Sequence, residues 1–341
     1  MSSISLKESL AEISTRVEPV INDLLSKDVE SNNYEAVLYQ CKSGGKRIRP
    51  ALVVLSGQIF GADIDDLLKP AAAIEILHNS TLIIDDIIDH SEFRRDEPTC
   101  WNKFGRSIAE CAAFDYLASI FVGLNGIKNG PKLIELYGKT LKVIVDGEIK
   151  DILFERSGRD DEDFVVKNRY PTITKENYFD MISQKTAVLL QSCCKAGAIY
   201  AGASYEQTES IGSFGFNLGM AFQIRDDILD IFGNEKEFGK KIGKDIIEKK
   251  MGNYVILSAI EELGAEDKLV IQNLLEGAAD VSDADVAMVR DLIDKTGAKA
   301  TAEGTANMYI QNAFMSLRQL PQNEYSAMLE EVANYIIDRN K

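Results

Sequence analysis

The sequence predicts an all-α protein. Apolar residues recur at the helical spacing of three or four through almost the whole chain of 341 residues, whereas alternating strand patterns are scarce. Only seven prolines occur, which leaves room for long uninterrupted helices. No low-complexity linker interrupts the pattern, so we expect one domain over residues 1–341, with residues 156–171 as a polar surface loop. Thr174 is expected to cap the helix that follows this loop.

Composition and charge limit the possible partners and compartment. The formal net charge of -16 argues against bulk binding to nucleic acid, although a local basic cluster could still bind phosphate. We find no apolar run of the roughly 18 residues that a membrane span needs, and no secretory signal. The five cysteines show no paired metal spacing, which favours free thiols in a reducing cytoplasm.

Two segments carry three aspartates each within a helical apolar pattern: STLIIDDIIDHSEFRRD (80–96) and FQIRDDILD (222–230). The six acids are Asp85, Asp86, Asp89, Asp226, Asp227 and Asp230. Residues four apart share a helix face, so Asp85 projects with Asp89, and Asp226 with Asp230. Each pair prolongs an inward apolar stripe. The stripes run through Ile74, Leu77 or His78, and Thr81 before the first pair, and through Ile211, Phe214, Leu218 and Phe222 before the second.

These inward carboxylates predict a divalent metal site. Burying unpaired charges is very costly, so a positive charge should lie between the two pairs. Mg²⁺ fits best, because it takes one or two carboxylates and leaves its other positions to water and phosphate. Carboxylates on facing helices of a bundle often build such sites. The alternative is two solvated acidic faces, which two copies in register with apolar stripes disfavour.

Basic residues beside the acidic segments predict a phosphorylated substrate. Arginine matches phosphate oxygens bidentately and lysine acts as a point charge. Three of these residues belong to GGKRIRP (44–50), and one belongs to QKT (184–186). The full set is Lys46, Arg47, Arg49, Arg94, Arg95, Lys185, Lys240, Lys244 and Lys250.

On these motifs the chain resembles the trans-isoprenyl (polyprenyl) diphosphate synthase family. The matching segments run in family order: GGKRIRP, LHNSTLIIDDIIDHSEFRRDEPT, DGEI, QKTA, GMAFQIRDDILD and GKKIGKD. The resemblance implies a single-domain bundle of long antiparallel helices around a deep central cavity, usually as a homodimer. It also implies a prenyltransferase that uses two or three Mg²⁺ ions to condense isopentenyl diphosphate head-to-tail with an allylic diphosphate.

The resemblance also implies roles for individual residues. Asp85, Asp89 and Asp226 would hold Mg²⁺, with Asp86, Asp227 and Asp230 supporting them directly or through water. Arg94, Lys185 and Lys240 would bind the allylic diphosphate. Lys46, Arg49, His78 and Arg95 would bind isopentenyl diphosphate. Thr186 and Gln223 would turn oxygen dipoles toward the developing carbocation, and Lys250 is a further expected substrate-binding residue.

The chain departs from the family pattern at several positions. Ile84 replaces a common histidine, Asp96 replaces a glycine, and Phe114 precedes Asp115 where the family more often has Gly-Asp. GNY (252–254) stands in place of Thr-Leu-Pro, and the 156–171 loop is longer than usual. All six proposed acids are nevertheless present.

Residues before the first aspartate predict the product length. Family members with short products tend to carry an aromatic residue at the positions that Ser80 and Thr81 occupy here. This chain therefore lacks an aromatic side chain that would close the product cavity at that depth. Leu77 and Ile74 are the next side chains along the helix, and Phe114 is expected to block the cavity from a neighbouring helix. Because one helical turn of about 5.4 Å matches one isoprene unit, we expect a product longer than farnesyl. Geranylfarnesyl is the central expectation, within a range from geranylgeranyl to octaprenyl.

Three other functions remain open from the sequence alone. A terpene cyclase would usually carry a different second acidic motif and would not need GGKRIRP. A non-catalytic regulatory subunit of a heteromeric prenyl synthase should have lost acids from one cluster. A head-to-head condensing enzyme is also all-α, but GGKRIRP speaks against it.

Overall fold

The computed structural model describes residues 6–233, 242–277 and 279–337, and these residues confirm the all-α prediction. Within these ranges the β-structure consists of a short hairpin and one isolated bridge between Glu155 and Lys250. The two strands of the hairpin have two residues each, Phe93–Arg94 (β1) and Glu97–Pro98 (β2). The hairpin begins four residues after Asp89, the last aspartate of the first cluster, and carries Arg94.

The helices up to the end of the second acidic segment include four of 20 residues or more. They are α1 (Leu6–Ser26), α2 (Tyr34–Lys42), α3 (Ile48–Ile59), α4 (Ile64–Ile88), α5 (Cys100–Phe104), α6 (Arg106–Leu124), α7 (Gly130–Phe154), α8 (Asp163–Asn168), α9 (Lys175–Ile182), α10 (Val188–Ala201) and α11 (Tyr205–Phe232). A short 3₁₀ turn, Ser31–Asn33, precedes α2, and a π-helical turn, Ser183–Ala187, joins α9 to α10.

Six further helices follow among the described residues from 242 onward. They are α12 (Lys244–Ile247), α13 (Tyr254–Glu262), α14 (Ala265–Glu276), α15 (Asp283–Ile293), α16 (Ala298–Leu317) and α17 (Glu324–Ile337).

The chain divides into two compact units, each assembled from three stretches. The first comprises residues 1–141, 189–215 and 314–332, and the second comprises residues 142–188, 216–313 and 333–341. The first acidic segment thus belongs to one unit and the second acidic segment to the other. A single domain over residues 1–341 stays a prediction.

Helix α4 forms the centre of the first unit. It begins after Asp63, whose side chain accepts a hydrogen bond from the Asp65 amide, and it has two acids in its first turn, as the helix dipole favours. It packs against α1, α3 and α6. Its middle, from Ala71 to Leu77, is entirely buried, whereas its last three turns expose one face. That face carries the site residues.

The core of the second unit surrounds the start of the second acidic segment. Ile224 and Ile228 on α11 pack there with Tyr178 of α9 and Tyr254 of α13. Thr174 caps α9 as predicted, because its hydroxyl accepts from the Asn177 amide while the Asn177 side chain accepts from the Thr174 amide. This cap fixes α9 and the π-helical turn after it.

Two local expectations differ from the structure. The 156–171 segment has mostly exposed side chains, but it contains α8, and Arg156 and Arg169 tie it down through backbone carbonyls. Helix α6 is long and apolar enough to cross a membrane by length and composition, contrary to the expectation, and 44% of that stretch is buried. The buried core helix of a water-soluble protein can meet the same criteria.

Candidate active site

The three acids of the first segment do not all lie on the same face of the chain at the end of α4. His78, Thr81, Asp85 and Asp89 are half-buried and recur every three or four residues, so they lie on the open face. Asp86 points to the other side and is 1% exposed. Asp85 and Asp89 therefore project together, as the spacing predicts, while Asp86 belongs to the interior of the first unit.

Arg94 bridges Asp86 and Asp85. Its Nε donates to both Asp86 carboxylate oxygens, at 2.9 and 3.1 Å, and its Nη2 lies 3.2 Å from Asp85 Oδ2. Burial raises the pKa of Asp86, and Arg94 opposes that shift. Arg94 thus opposes the effect of burial on Asp86 and orients a neighbouring carboxylate on the open face.

A cluster of arginines surrounds His78. Burial lowers the pKa of His78 well below its usual value, and Arg49, Arg95, Arg94 and Arg47 lower it further. The imidazole is therefore neutral at physiological pH and can donate one hydrogen bond without adding charge. The first unit thus brings together three of the residues predicted to bind one diphosphate.

The turn after Arg94 explains one departure from the family pattern. Arg95 and Asp96 both have positive φ angles, 55° and 64°, in the left-handed region that favours glycine. Aspartate is among the few other residues that visit this region readily. Asp96 therefore keeps the turn that a glycine would make, and the Arg95 guanidinium donates to the Gly44 carbonyl.

In the second unit, Lys185 lies on the π-helical turn, a feature often found at functional sites. Its Nζ is 2.6 Å from Asp151 Oδ2 and 2.7 Å from Glu148 Oε2, both on α7. Gly147 permits this approach, because a Cβ there would lie 2.4 Å from the Lys185 amide nitrogen. Burial would raise the pKa of Asp151, but the charges of Lys185 and Lys250 lower it overall.

Thr186 and Gln223 are hydrogen-bonded to each other. The Thr186 hydroxyl donates to Gln223 Oε1 at 2.9 Å, and Gln223 Nε2 donates to Asp227 Oδ1 at 3.1 Å. Gly219 on α11 lies so close to Ala187 that a Cβ would be 2.6 Å from its Cα. Because Gly147 and Gly219 have no side chain, the π-helical turn can pack closely against both α7 and α11.

Asp227 is an internal anchor of the second unit. It is 3% exposed, and its Oδ2 accepts from the Tyr178 hydroxyl and from the Tyr254 amide, each at 2.8 Å. Burial, with the nearby charge of Asp245, raises its pKa well above the usual value. Its oxygens are thus occupied by donors from the protein, whereas the neighbouring Asp226 is half-buried on the open side of α11.

Asp230 anchors the start of α12. It accepts from the amides of Lys244 and Asp245 at 3.0 and 3.2 Å, and burial with the charge of Asp245 raises its pKa to about 8. Asp245 in turn accepts a hydrogen bond from Asn253 Nδ2. The side-chain oxygen of Asn253 caps α13. The GNY departure thus supplies a helix cap and, through Tyr254, an amide donor for Asp227.

Comparison with known proteins identifies the family. The sequence profile described as Polyprenyl synthetase matches residues 30–293. The chain is 33% identical to the geranylgeranyl diphosphate synthase of Saccharolobus solfataricus, with 100% of both chains covered. It is 31% identical to heptaprenyl diphosphate synthase component 2 of Bacillus subtilis, covering 89% of this chain and 81% of that protein.

A solved structure supports the same assignment. The polyprenyl synthase from Caulobacter crescentus CB15, complexed with calcium and isoprenyl diphosphate, superposes with a TM-score of 0.86 at 28% identity, with 100% of both chains covered. The chain belongs to the polyprenyl synthetase family. The predicted family, all-α fold and enzyme class are therefore confirmed, and the protein is a prenyltransferase that makes isoprenyl diphosphates.

In this polyprenyl synthetase, one predicted site residue lies on the surface and not in a cavity. Phe114 is 74% exposed on α6, so it does not block a cavity within this chain. The face of α6 that is buried carries small residues, including Ala109, Ala112 and Ala113, and Phe114 lies about 100° further round the helix. The prediction that Phe114 narrows the cavity is therefore wrong for the chain by itself.

The remaining predicted residues of this polyprenyl synthetase fall in several environments. Ile74, Leu77 and Ser80 are buried on α4, with the Ser80 hydroxyl donating to the Leu77 carbonyl. Lys46 is exposed, and Lys250 lies 3.2 Å from Glu248. Lys240 lies outside the described residues.

Sequence reasoning missed the partners of Lys185 and of the second acidic segment. Glu148 and Asp151 are three residues apart in DGEIKD, a spacing that places both on one face of α7 and could have drawn attention. Tyr178 carries no such signal, because only tertiary packing brings it to Asp227. Asp245 ends the GKKIGKD segment, but its place beside Asp230 also comes from packing.

Proposed function

We propose that this chain condenses isopentenyl diphosphate with an allylic diphosphate, head-to-tail, to give a trans-polyprenyl diphosphate longer than farnesyl. The observation that carries the proposal is the open face of α4, where Asp85 and Asp89 project together beside the arginines around His78. Carboxylates for a cation next to a phosphate-binding cluster suit a diphosphate substrate. The names of the relatives above support the same substrate class.

Mg²⁺ is the proposed cofactor, as two or three ions held chiefly by Asp85, Asp89 and Asp226. Mg²⁺ needs only one or two carboxylates and takes its other oxygens from phosphate and water. Bound there, the ions would neutralise charge on the leaving diphosphate.

We assign the cations to two diphosphates. Lys46, Arg49, His78 and Arg95 would hold isopentenyl diphosphate, because three of them share the cluster in the first unit. Arg94, Lys185 and Lys240 would hold the allylic diphosphate. Arg94 and Lys185 already form ion pairs with acids, so substrate phosphate would replace carboxylate contacts that the unliganded chain provides.

The chain's own residues would then favour ionisation of the allylic C–O bond. The cationic donors stabilise the developing negative charge on the diphosphate, and oxygens of Thr186 and Gln223 stabilise the positive charge left on the prenyl group. The double bond of isopentenyl diphosphate attacks that cation, and the departing diphosphate takes the proton that is lost. Exclusion of water would keep the cation from being quenched.

The buried side chains of α4 before Asp85 support a product longer than farnesyl. Ser80 is small, and the helix that packs against α4 presents alanines at Ala109, Ala112 and Ala113. Leu77 and Ile74 are then the side chains that end the path, about 12 and 16 Å along the helix from Asp85 at 1.5 Å per residue. We expect geranylfarnesyl diphosphate, within a range from geranylgeranyl to octaprenyl.

We further propose that the enzyme is a cytoplasmic homodimer that pairs through α6. Ile108, Phe114, Phe121 and Val122 are 46–74% exposed and lie on one side of this helix. Such an exposed apolar stripe marks an interaction surface. Free cysteines suit a reducing compartment. Phe114→Asp should shift the purified protein toward monomer in light scattering, and an unchanged dimer would refute this interface.

One incubation tests the main proposal. Purified protein receives isopentenyl diphosphate, an allylic diphosphate and Mg²⁺, and the dephosphorylated products are sized by chromatography. Prenyl alcohols longer than farnesol are expected. Cyclic hydrocarbons would indicate a terpene cyclase, and activity only after addition of a second protein would indicate a regulatory subunit.

A further inference from the structure

One arginine of GGKRIRP turns into the protein. Arg47 is 3% exposed, while Lys46 beside it is exposed and Arg49 is half-buried. Its guanidinium donates to three acceptors: from Nη1 to Glu75 Oε1 at 2.7 Å, from Nε to Glu18 Oε1 at 2.6 Å, and from Nη2 to the Cys41 carbonyl at 2.6 Å. Its side chain is therefore committed to α1, α2 and α4 and does not reach a substrate.

The backbone of Arg47 takes a conformation that this side chain has to hold. Its φ and ψ angles of 49° and 34° are left-handed, an unfavourable conformation for a residue with a Cβ, and α3 begins at the next residue. A buried charge-assisted hydrogen bond to Glu75 and a partly buried one to Glu18 favour this conformation. Arg47 thus sets the direction in which Lys46 leaves the loop and α3 enters the fold.

Gly45 links this buried network to the cationic cluster. A Cβ at Gly45 would lie 3.3 Å from both Arg47 Nη1 and Arg95 Nη1. The Arg95 guanidinium also donates to the Gly44 carbonyl. Both guanidinium groups therefore pack against the loop at Gly45, so a change at Arg47 should alter the surface that Arg95 contacts.

Glu75 connects the same network to α4. It is 4% exposed, lies three residues before His78, and also accepts from Asn79 Nδ2 at 3.3 Å. Its negative charge favours the charged form of Arg95. The Arg47–Glu75 pair therefore fixes the loop to the helix that carries His78, and it offsets part of the positive charge gathered there.

We infer that Arg47 is a positioning residue for isopentenyl diphosphate: its buried pair with Glu75 holds Lys46, Arg95 and the α3 residue Arg49 in the arrangement that receives the diphosphate. This inference rests on the function proposed above. It assigns Arg47 no contact with substrate, so a change there should alter the binding of one substrate and leave the chemical step intact.

The test compares Arg47→Lys with Arg16→Lys. Arg16 also links α1 to α4, through Asp65, but on the surface and away from the loop. Lysine keeps the charge at residue 47 but cannot reach three acceptors. Arg47→Lys should raise the KM for isopentenyl diphosphate about tenfold, with kcat and the allylic KM within about twofold of wild type. Arg16→Lys should leave all three unchanged.

A second variant and a second measurement keep the inference testable. Glu75→Gln retains an acceptor but loses the charge, and it should produce the same selective rise in KM if Arg47→Lys does not fold. Hydrogen–deuterium exchange should be faster in Arg47→Lys over residues 43–49 and 91–99, and unchanged there in Arg16→Lys. This exchange comparison does not depend on activity, so it remains decisive if wild-type protein fails to condense the substrates and the proposed function falls.

Equal rises in both KM values would overturn the positioning role, as would a loss confined to kcat. Unchanged exchange over residues 91–99 would show that the loop does not support Arg95. A selective rise in the KM for isopentenyl diphosphate, with faster exchange in both segments, supports it.

Discussion

Replacement of Ser80 by phenylalanine tests the proposed control of product length. Ser80 lies five residues before Asp85, about 7.5 Å along the helix, whereas Leu77 lies about 12 Å away. Ser80→Phe would move the end of the path about 4.5 Å toward the reacting carbon, close to the 5.4 Å of one turn. We therefore expect a product shorter by about one isoprene unit, read from chromatography of the dephosphorylated alcohols.

Stability measurements separate a channel from a packed interior at the same position. Ser80 is 3% exposed, so a phenylalanine there would cost about 1–3 kcal/mol of unfolding free energy if the surrounding side chains leave no space. If a prenyl channel passes Ser80, the ring occupies the channel and the cost should be smaller. Denaturant unfolding of wild type and Ser80→Phe without substrate measures this difference.

Two companion variants complete the experiment. Ser80→Ala removes the hydroxyl that donates to the Leu77 carbonyl but adds no volume, so product length should stay unchanged. Leu77→Ala should lengthen the product, because it removes the next side chain along the path. A Ser80→Phe enzyme with wild-type product length, or a wild-type enzyme that stops at farnesyl, would refute the reasoning.

Three further predictions concern the charged residues and their supports. Chelation of divalent ions should abolish condensation, and Asp85→Ala should lower kcat by orders of magnitude; full turnover in excess chelator would contradict the metal proposal. Lys185→Ala should raise the allylic KM about ten- to a hundredfold, with Lys139→Ala on the exposed side of α7 as the control, and an equal change in the KM for isopentenyl diphosphate would contradict the assignment. Tyr178→Phe should lower the unfolding free energy by about 1–3 kcal/mol in denaturant titration, because buried Asp227 loses a donor, whereas the same change at the exposed Tyr34, where α2 begins, should not.

The sequence alone determined the fold class, the family and most candidate residues. Helical periodicity is a local property, so the all-α fold and the shared face of Asp85 and Asp89 followed from spacing, and the capping role of Thr174 followed from residue type and position. The motifs identified the family because residue type, order and separation can all be read directly from the linear sequence. Even the departure at Asp96 left the turn intact, since aspartate accepts the φ angle that glycine would have there.

Only the tertiary structure decided what each charged side chain contacts. Asp86 and Asp227 look equivalent to their neighbours in sequence, yet burial and donors from Arg94, Tyr178 and Tyr254 make them internal anchors. Phe114 lies one residue from the packed alanines of α6, and that single step of about 100° puts it on the surface. Arg47 differs from Lys46 in the same way, because a left-handed backbone turns it toward Glu75. Contacts between residues far apart in the chain depend on packing and backbone angles, which spacing along the sequence does not specify.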